Sequence, residues 1–424
     1  MIPRLVFAAC ALLVLGGESC DAQRLSALAP APDWAQLEGF QETITHDDFV
    51  KLLDQIYAPG GAGKDVIDVE PDAAVIKTTL TPAAACRLRF AQDAASAKPI
   101  PRFWRPTATL PPAPAEKPLA GVKIVIDPGH LGGKWAKMEE RFFQIGESRP
   151  VVEGDMTLRV AGMLAPKLRA LGADVSSLRE AAAPATDLRP ESLREAARGE
   201  LAMRGISAPR ELYSGPDDPQ RGSTVQAESE LLFYRISEIR QRAERVNTTL
   251  HPDVVICLHF NAEAWGDPLR PDFVPRNHLH VLVNGCYSAA ELRFDDQRFE
   301  MLAQLLSRAS AEEIALSEDV ATALAAATKL PPYEYTTGNA IHAGASPYLW
   351  ARNLLANRLY HAPVIFLEPY VMNSEVVWER VQAGDYEGEQ MIGGEMRRSI
   401  FREYADAVAD GVRAYYAKTR PPSK

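Results

Sequence analysis

Two histidines and a glutamate of this chain each stand directly after a short apolar run. His130 follows Val122-Lys123-Ile124-Val125-Ile126 through Asp127-Pro128-Gly129, His259 follows Val254-Val255-Ile256-Cys257-Leu258, and Glu368 follows Val364-Ile365-Phe366-Leu367. A second glutamate, Glu153, lies just ahead of the amphipathic stretch Asp155–Leu171. Two neutral imidazoles and one carboxylate are a common donor set for catalytic zinc, with the fourth tetrahedral position left to water. A further carboxylate beside that water supplies a proton acceptor. Polar residues at strand ends also cap loops or pair with arginine, so the residue types alone leave both readings open.

Elements of two kinds must position these side chains. Strand-length apolar runs occur at Val122–Ile126, Ala173–Leu178, Val254–Leu258, Leu279–Val283 and Val364–Leu367. Apolar residues at three and four spacing predict helices over Asp155–Leu171, which Gly172 ends, and over Ala227–Thr249, Asp296–Leu316 and Glu395–Ala417. Such alternation predicts an α/β fold: a mixed, mostly parallel sheet with helices on both faces. Ligands of open α/β sheets bind outside the carboxyl ends of the strands, which is where His130, His259 and Glu368 fall.

The 424 residues are 46% hydrophobic and 24% charged, which excludes a disordered chain, and the net charge of −10 gives no basic footprint for nucleic acid. Residues 1–22 read as an export signal, with Arg4 ahead of the apolar run Leu5–Leu15, shorter than the roughly 20 residues of a membrane span. The expected location is therefore the periplasm or cell envelope, with membrane anchoring only if Cys20 is lipidated. Beyond Cys20 only Cys86, Cys257 and Cys286 remain, with no CxxC pair, which argues against a disulfide scaffold or a cysteine zinc site. Residues 23–97 form a small α+β unit, in which Thr45 caps a helix carrying Phe49, Leu52, Leu53 and Ile56. Seven prolines between Pro99 and Pro118 mark an extended linker over 98–120. The α/β domain then covers 121–418, with insertions near 134–152 and 181–222. The glycines around Gly61 are no phosphate loop, since Ala58 and Asp65 replace its first glycine and its Ser or Thr. HExxH, GxSxG and GxGxxG motifs are absent.

At its polar strand ends the chain resembles the zinc-dependent N-acetylmuramoyl-L-alanine amidases (amidase_3 type) of bacterial peptidoglycan. Val122–His130 looks like the opening strand and first zinc histidine of that family. EGDMTLRVAGMLAPKLRALGADVSSLR, from Glu153 to Arg179, is similar to its second block without a gap. Asp253–Ala262 resembles the strand with the second histidine and the following Asn-Ala, and Pro363–Ser374 the strand with the catalytic glutamate. The resemblance runs from Gly121 to Ala417, about 300 residues. It implies one zinc per chain held by His130, Glu153 and His259, a catalytic Glu368, and hydrolysis of the amide between N-acetylmuramic acid and L-alanine of the stem peptide. It also selects Glu153 over Glu139, Glu140 and Glu147 as ligand.

Leu131 stands where the family has a second glycine, the path from His130 to Glu153 is long, and Pro369-Tyr370 replaces a small-residue turn. The stretch Trp135–Pro150 must therefore form a loop near the metal, and it or the 181–222 insertion is expected to restrict access. Asn261 and Arg352 are candidate substrate contacts: Asn261 orients substrate or fixes the His259 loop, and Arg352 meets a stem-peptide carboxylate or only packs. His278 and His280, two apart in a strand, share one face as a second metal pair, a solvated face or support for the first site. His251, His342 and His361 read as structural. Two rival functions remain, a catalytically inactive wall-binding protein of this fold and a zinc amidohydrolase or peptidase for another exported substrate. Oligomeric state is not legible.

Overall fold

Strand residues here alternate between two buried surfaces: Val254, Ile256 and Leu258 pack into one apolar cluster while Val255 and Cys257 pack into another on the opposite side. A strand buried on both faces belongs in the middle of a layered α/β fold. The structure, a computed structural model, describes residues 24–80, 83–215 and 217–420, so the segment expected to be an export signal, with Cys20, lies outside the described residues. No helix among the described residues is long and apolar enough to cross a membrane.

The N-terminal unit holds α1 (His46–Leu52), whose Thr45 cap accepts a hydrogen bond from the Asp48 amide at 3.2 Å, and an antiparallel meander of β1 (Ile67–Val69), β2 (Ala73–Leu80) and β3 (Ala83–Arg89). The proline-rich segment that follows forms no strand but is pinned to the domain. Trp104 and Leu110 are buried, and Arg105 pairs with the buried Asp253, with Nε at 3.0 Å.

The chain continues through β4 (Lys123–Pro128), a two-residue pair β5 (Phe142–Phe143) and β6 (Val151–Val152), α2 (Glu153–Ala170) and β7 (Asp174–Ser177). Next come α3 (Arg194–Met203), α4 (Val225–Leu231), α5 (Glu238–Arg245), β8 (Val254–Leu258) and β9 (Leu279–Val283). After these stand α6 (Asp295–Ser307), α7 (Ala309–Thr328), β10 (Ile341–His342), β11 (Leu349–Ala351), α8 (Leu355–Leu359) and β12 (Val364–Pro369). The chain closes with α9 (Glu375–Ala383), the hairpin β13 (Glu389–Ile392) and β14 (Glu395–Arg398), and α10 (Ile400–Thr419).

Seven strands form one sheet in the order β10-β11-β9-β12-β8-β4-β7. The pairs β12–β8, β8–β4, β4–β7 and β11–β9 are parallel, while β9–β12 and β10–β11 are antiparallel. This is the mixed, mostly parallel α/β sheet expected from the sequence. Helices α2, α7 and α10 cover one face through Val160, Leu164, Val320, Leu324, Tyr404 and Val408.

Three helices differ from the sequence expectation. The one anticipated over Ala227–Thr249 runs from Val225 to Leu250, with π-helical turns at Leu232–Ser237 and Val246–Leu250 setting α4 apart from α5. The helix anticipated over Asp296–Leu316 is two helices, broken at Arg308, which takes a left-handed backbone with φ of 60°. The helix anticipated from Glu395 starts at Ile400, because 389–398 is a hairpin turning at Gly393-Gly394, both at positive φ. A Gly-Gly turn suits a two-residue hairpin loop, so this signal was present in the sequence. The 181–222 insertion is not loop alone: α3, with the turn before it, buries Leu193, Ala197 and Leu201 against Leu131 and Phe233.

The N-terminal unit has no separate core. Phe49, Leu53, Ile76 and Leu88 pack in one cluster with Tyr287, Leu292, Met301, Leu302, Leu305 and Leu306 of the larger domain. Re-exposing a large apolar side chain costs about 1.5–3 kcal/mol. A chain beginning at residue 98 should therefore melt well below the full chain or aggregate. Equal midpoints in thermal unfolding would show that the two units are energetically independent.

Candidate metal centre

The centre is built where β4, β8 and β12 end side by side. Pro128 pairs with Leu258, and Leu258 with Leu367, so Gly129, His259 and Glu368 follow in register on three neighbouring strands. Below them the buried Asp127 accepts from Arg242 at 2.8 Å and from the Tyr360 hydroxyl at 2.6 Å, which fixes the end of β4. Arg179 donates to the carbonyls of Pro128, Gly129 and Leu131, holding the turn from below. His130 sits in that turn with φ of 57°, a backbone conformation unusual for a side chain of its size and found where surrounding structure imposes it.

Glycines let these backbones meet. A Cβ on Gly129 would lie 2.2 Å from His259 Cε1, and one on Gly154 would lie 2.3 Å from the Gly132 amide nitrogen. The second contact seats the start of α2 against the turn, and so puts Glu153, its first residue, beneath both imidazoles.

His130, Glu153 and His259 come together, each offering one donor atom, with all three donors within 4.8 Å of one another. Glu153 Oε2 is 3.2 Å from His130 Nε2, and Glu153 Oε1 is 3.2 Å from His259 Nδ1. The two imidazole rings are 5.2 Å apart and nearly perpendicular. Behind His130, the buried Glu139 carboxylate accepts from the Leu131 amide at 2.9 Å and lies 3.5 Å from His130 Nδ1. A carboxylate on the far nitrogen of an imidazole orients the ring and makes it a better ligand. Two imidazoles and a carboxylate, converging and backed in this way, fit the donor set of a catalytic zinc.

Burial alone would raise the pKa of Glu153, but His130, His259 and Arg141 overcome it and bring it down to about 2, so the carboxylate is charged. Burial would lower His259, yet the hydrogen bond with Glu153 and the charges of Glu368 and Glu153 raise it. Glu368 moves the opposite way from Glu153. Burial pushes it up to about 7, with Glu153 adding to the rise and His259, Arg141 and Arg352 opposing it.

His130, His259 and Glu368 line one cavity of about 910 Å³, with Asn261, His278, His280 and Arg352 also on its walls. Asn261 Oδ1 accepts from the Ala262 amide at 2.6 Å, and its backbone bonds to Pro369 and Met372, so it fixes the loop after His259 while facing the cavity. Glu140 pairs with Arg221 of the 181–222 insertion, and Glu147 is exposed; neither belongs to the donor group. Arg141, from the 134–152 insertion, reaches Glu153 Oε2 at 3.1 Å and lines the cavity, placing that loop beside the donors.

His278 and His280 share a face of β9 but are buried, not solvated. Among the described residues they belong to no group of three metal donors. His251 closes a helix with φ of 44° and bonds to the Asn247 carbonyl, and His342 stacks on Trp350 at 3.7 Å. Sequence reasoning missed the backing role of Glu139, the Arg141–Glu153 pair, and Tyr333 and Tyr335 beside His280. None of these carries a periodic signal, since all lie in loops.

No family model and no curated protein matches the chain. Solved structures to which it is similar include the N-acetylmuramyl-L-alanine amidase Ami1 from Mycobacterium smegmatis, at 16% identity and a TM-score of 0.37, covering 71% of this chain and 99% of that one. The CwlD amidase from Clostridioides difficile, solved in complex with the GerS lipoprotein, is 13% identical with a TM-score of 0.37, covering 70% and 98%. The N-acetylmuramoyl-L-alanine amidase AmiC2 of Nostoc punctiforme is 16% identical with a TM-score of 0.34, covering 70% and 98%.

Proposed function

We propose that the chain is an exported zinc-dependent N-acetylmuramoyl-L-alanine amidase acting on peptidoglycan. The observation that carries this reading is the convergence of His130, Glu153 and His259 in the cavity that Glu368 lines, on residues where the sequence resembles that family. His130, Glu153 and His259 hold the metal. Zinc in such a site polarises an amide carbonyl and lowers the pKa of water from about 16 toward 7.

The chain's own residues do the rest. Glu153 stays charged under both imidazoles, and Glu139 keeps His130 turned toward it. Glu368, a carboxylate on the cavity wall at the end of β12, takes a proton from the attacking water and delivers it to the leaving amine nitrogen as the C–N bond breaks. A carboxyl group poised near the working pH is suited to both halves of that exchange. Asn261 keeps the loop after His259 in place over the cavity.

Digestion of purified peptidoglycan by the zinc-loaded chain tests this. Intact stem peptides and peptide-free glycan strands, identified by mass spectrometry, are the expected products. Cuts inside the peptides would point to a peptidase, and no cleavage by a zinc-loaded chain would point to a wall-binding protein.

A further inference from the structure

Beside Glu368, the cavity has a second wall with its own chemistry. Glu368 pairs across the antiparallel β9–β12 register with His280, so the two side chains share one face of the sheet. His278 and His280 pack on Tyr333 with ring centroids 4.5 and 5.0 Å apart, and Tyr335 packs on Tyr333 at 4.7 Å. Arg352 donates to the Tyr335 hydroxyl at 3.3 Å, and that hydroxyl lies 3.4 Å from His280 Nε2. The hydroxyl accepts from Arg352 and can give its own proton to Nε2; in that tautomer the imidazole proton sits on Nδ1. Nδ1 of His280 is buried without a hydrogen-bond partner, whereas Nε2 of His278 lies 3.8 Å from Glu263 Oε1. Buried polar atoms left unpaired are uncommon and call for a partner.

Arg352 completes the wall. Of the cavity's other cations, Arg141 pairs with Glu153, Arg242 with Asp127 and Arg276 with Glu263, while Arg235, like Arg352, has no ion pair among the described residues. Arg352 has no ion pair among the described residues; its guanidinium rests on Tyr335. Burial, together with the neighbouring His278 and Arg352, holds His280 down at about 3, so it remains a neutral donor.

We propose that Arg352 and His280, framed by Tyr333 and Tyr335, form a subsite for a free carboxylate of the peptide on the leaving-group side of Glu368. This rests on the amidase reading and adds to it a preference for an anionic stem peptide over its amidated form. An arginine with one neutral N–H donor suits a carboxylate, which accepts two charge-assisted hydrogen bonds, and discriminates against a carboxamide, which presents donors of its own.

The test uses the full zinc-loaded chain and the dipeptide L-alanyl-D-glutamate, compared by calorimetry with the same dipeptide carrying a carboxamide in place of the glutamate α-carboxylate. The free acid should bind about tenfold or more tightly, as a charge-assisted contact allows. Arg352→Ala should abolish the difference, Arg352→Lys should restore part of it, and His280→Phe should reduce it. With muramoyl dipeptides as substrates, Arg352→Ala should raise KM for the free acid and leave the amide nearly unchanged, a split that a purely structural role for Arg352 would not produce. Equal or absent binding of the two dipeptides, or an intact preference in Arg352→Ala, overturns the subsite. Selective binding without any hydrolysis of glycan-linked peptide would overturn the amidase reading and leave the subsite standing.

Discussion

Glu368→Gln should retain its zinc and lose activity by about 10² to 10⁴, the range of general acid–base catalysis. Glutamine keeps the shape of the side chain at the end of β12 but cannot exchange the proton. The three donors, His130, Glu153 and His259, do not include Glu368, so metal content measured by elemental analysis should match that of the unmodified chain. Release of stem peptide from muropeptides within tenfold of the wild-type rate would sink the assignment.

The same variant has a signature without metal. Burial raises the Glu368 pKa from 4.5 to about 7, so the folded state holds this proton more tightly than the unfolded one. The stability contributed by that group is fully present below 4.5 and is lost as pH rises through about 7. In denaturant titrations of the metal-free protein, Glu368→Gln should remove this loss, so the gap between the two chains should change across that window. Parallel curves from acid to pH 8 would show that the carboxyl is not perturbed.

Gly129→Ala should strip the metal from a protein that still folds. The added methyl would sit 2.2 Å from His259 Cε1, and the imidazole is also stacked on Phe366 at 4.2 Å. The ring must turn away from Glu153, and zinc affinity should fall by on the order of 10²-fold or more, the upper end of what misplacing a ligand's support costs. Gly162→Ala is the control: it lies on the same α/β scaffold, in α2, with nothing within 4 Å of the new methyl. Zinc titrations of the two variants separate the effects. Wild-type affinity in Gly129→Ala would mean that His259 does not hold the metal where it now sits.

The ends of β4, β8 and β12 were legible because a strand buried on both faces leaves a continuous apolar run, and a polar residue just after it stands out. Gly172 ending α2 was legible for the same local reason. The break at Arg308 was not. No glycine or proline marks it, and its left-handed backbone is set by how α6 packs on the N-terminal unit while α7 packs on the sheet. The hairpin at Gly393-Gly394 did carry a local signal, masked by the helical spacing that follows it. His278 and His280 were legible as sharing a face, but whether that face met water, metal or tyrosine depended on a loop some 50 residues further along the chain.

By itself the sequence determined five of the main sheet's seven strands and three polar positions at strand ends, since these follow from apolar runs and from what must come where a buried strand stops. With the family resemblance it also named Glu153. Tertiary structure alone decided that Glu139 backs His130, that Arg141 and both imidazoles keep Glu153 charged while burial raises the pKa of Glu368, and that Arg352 faces Glu368's cavity with no ion pair among the described residues. Those are relations between segments far apart in the chain. Charge and burial act through distance in space, and no local propensity records them.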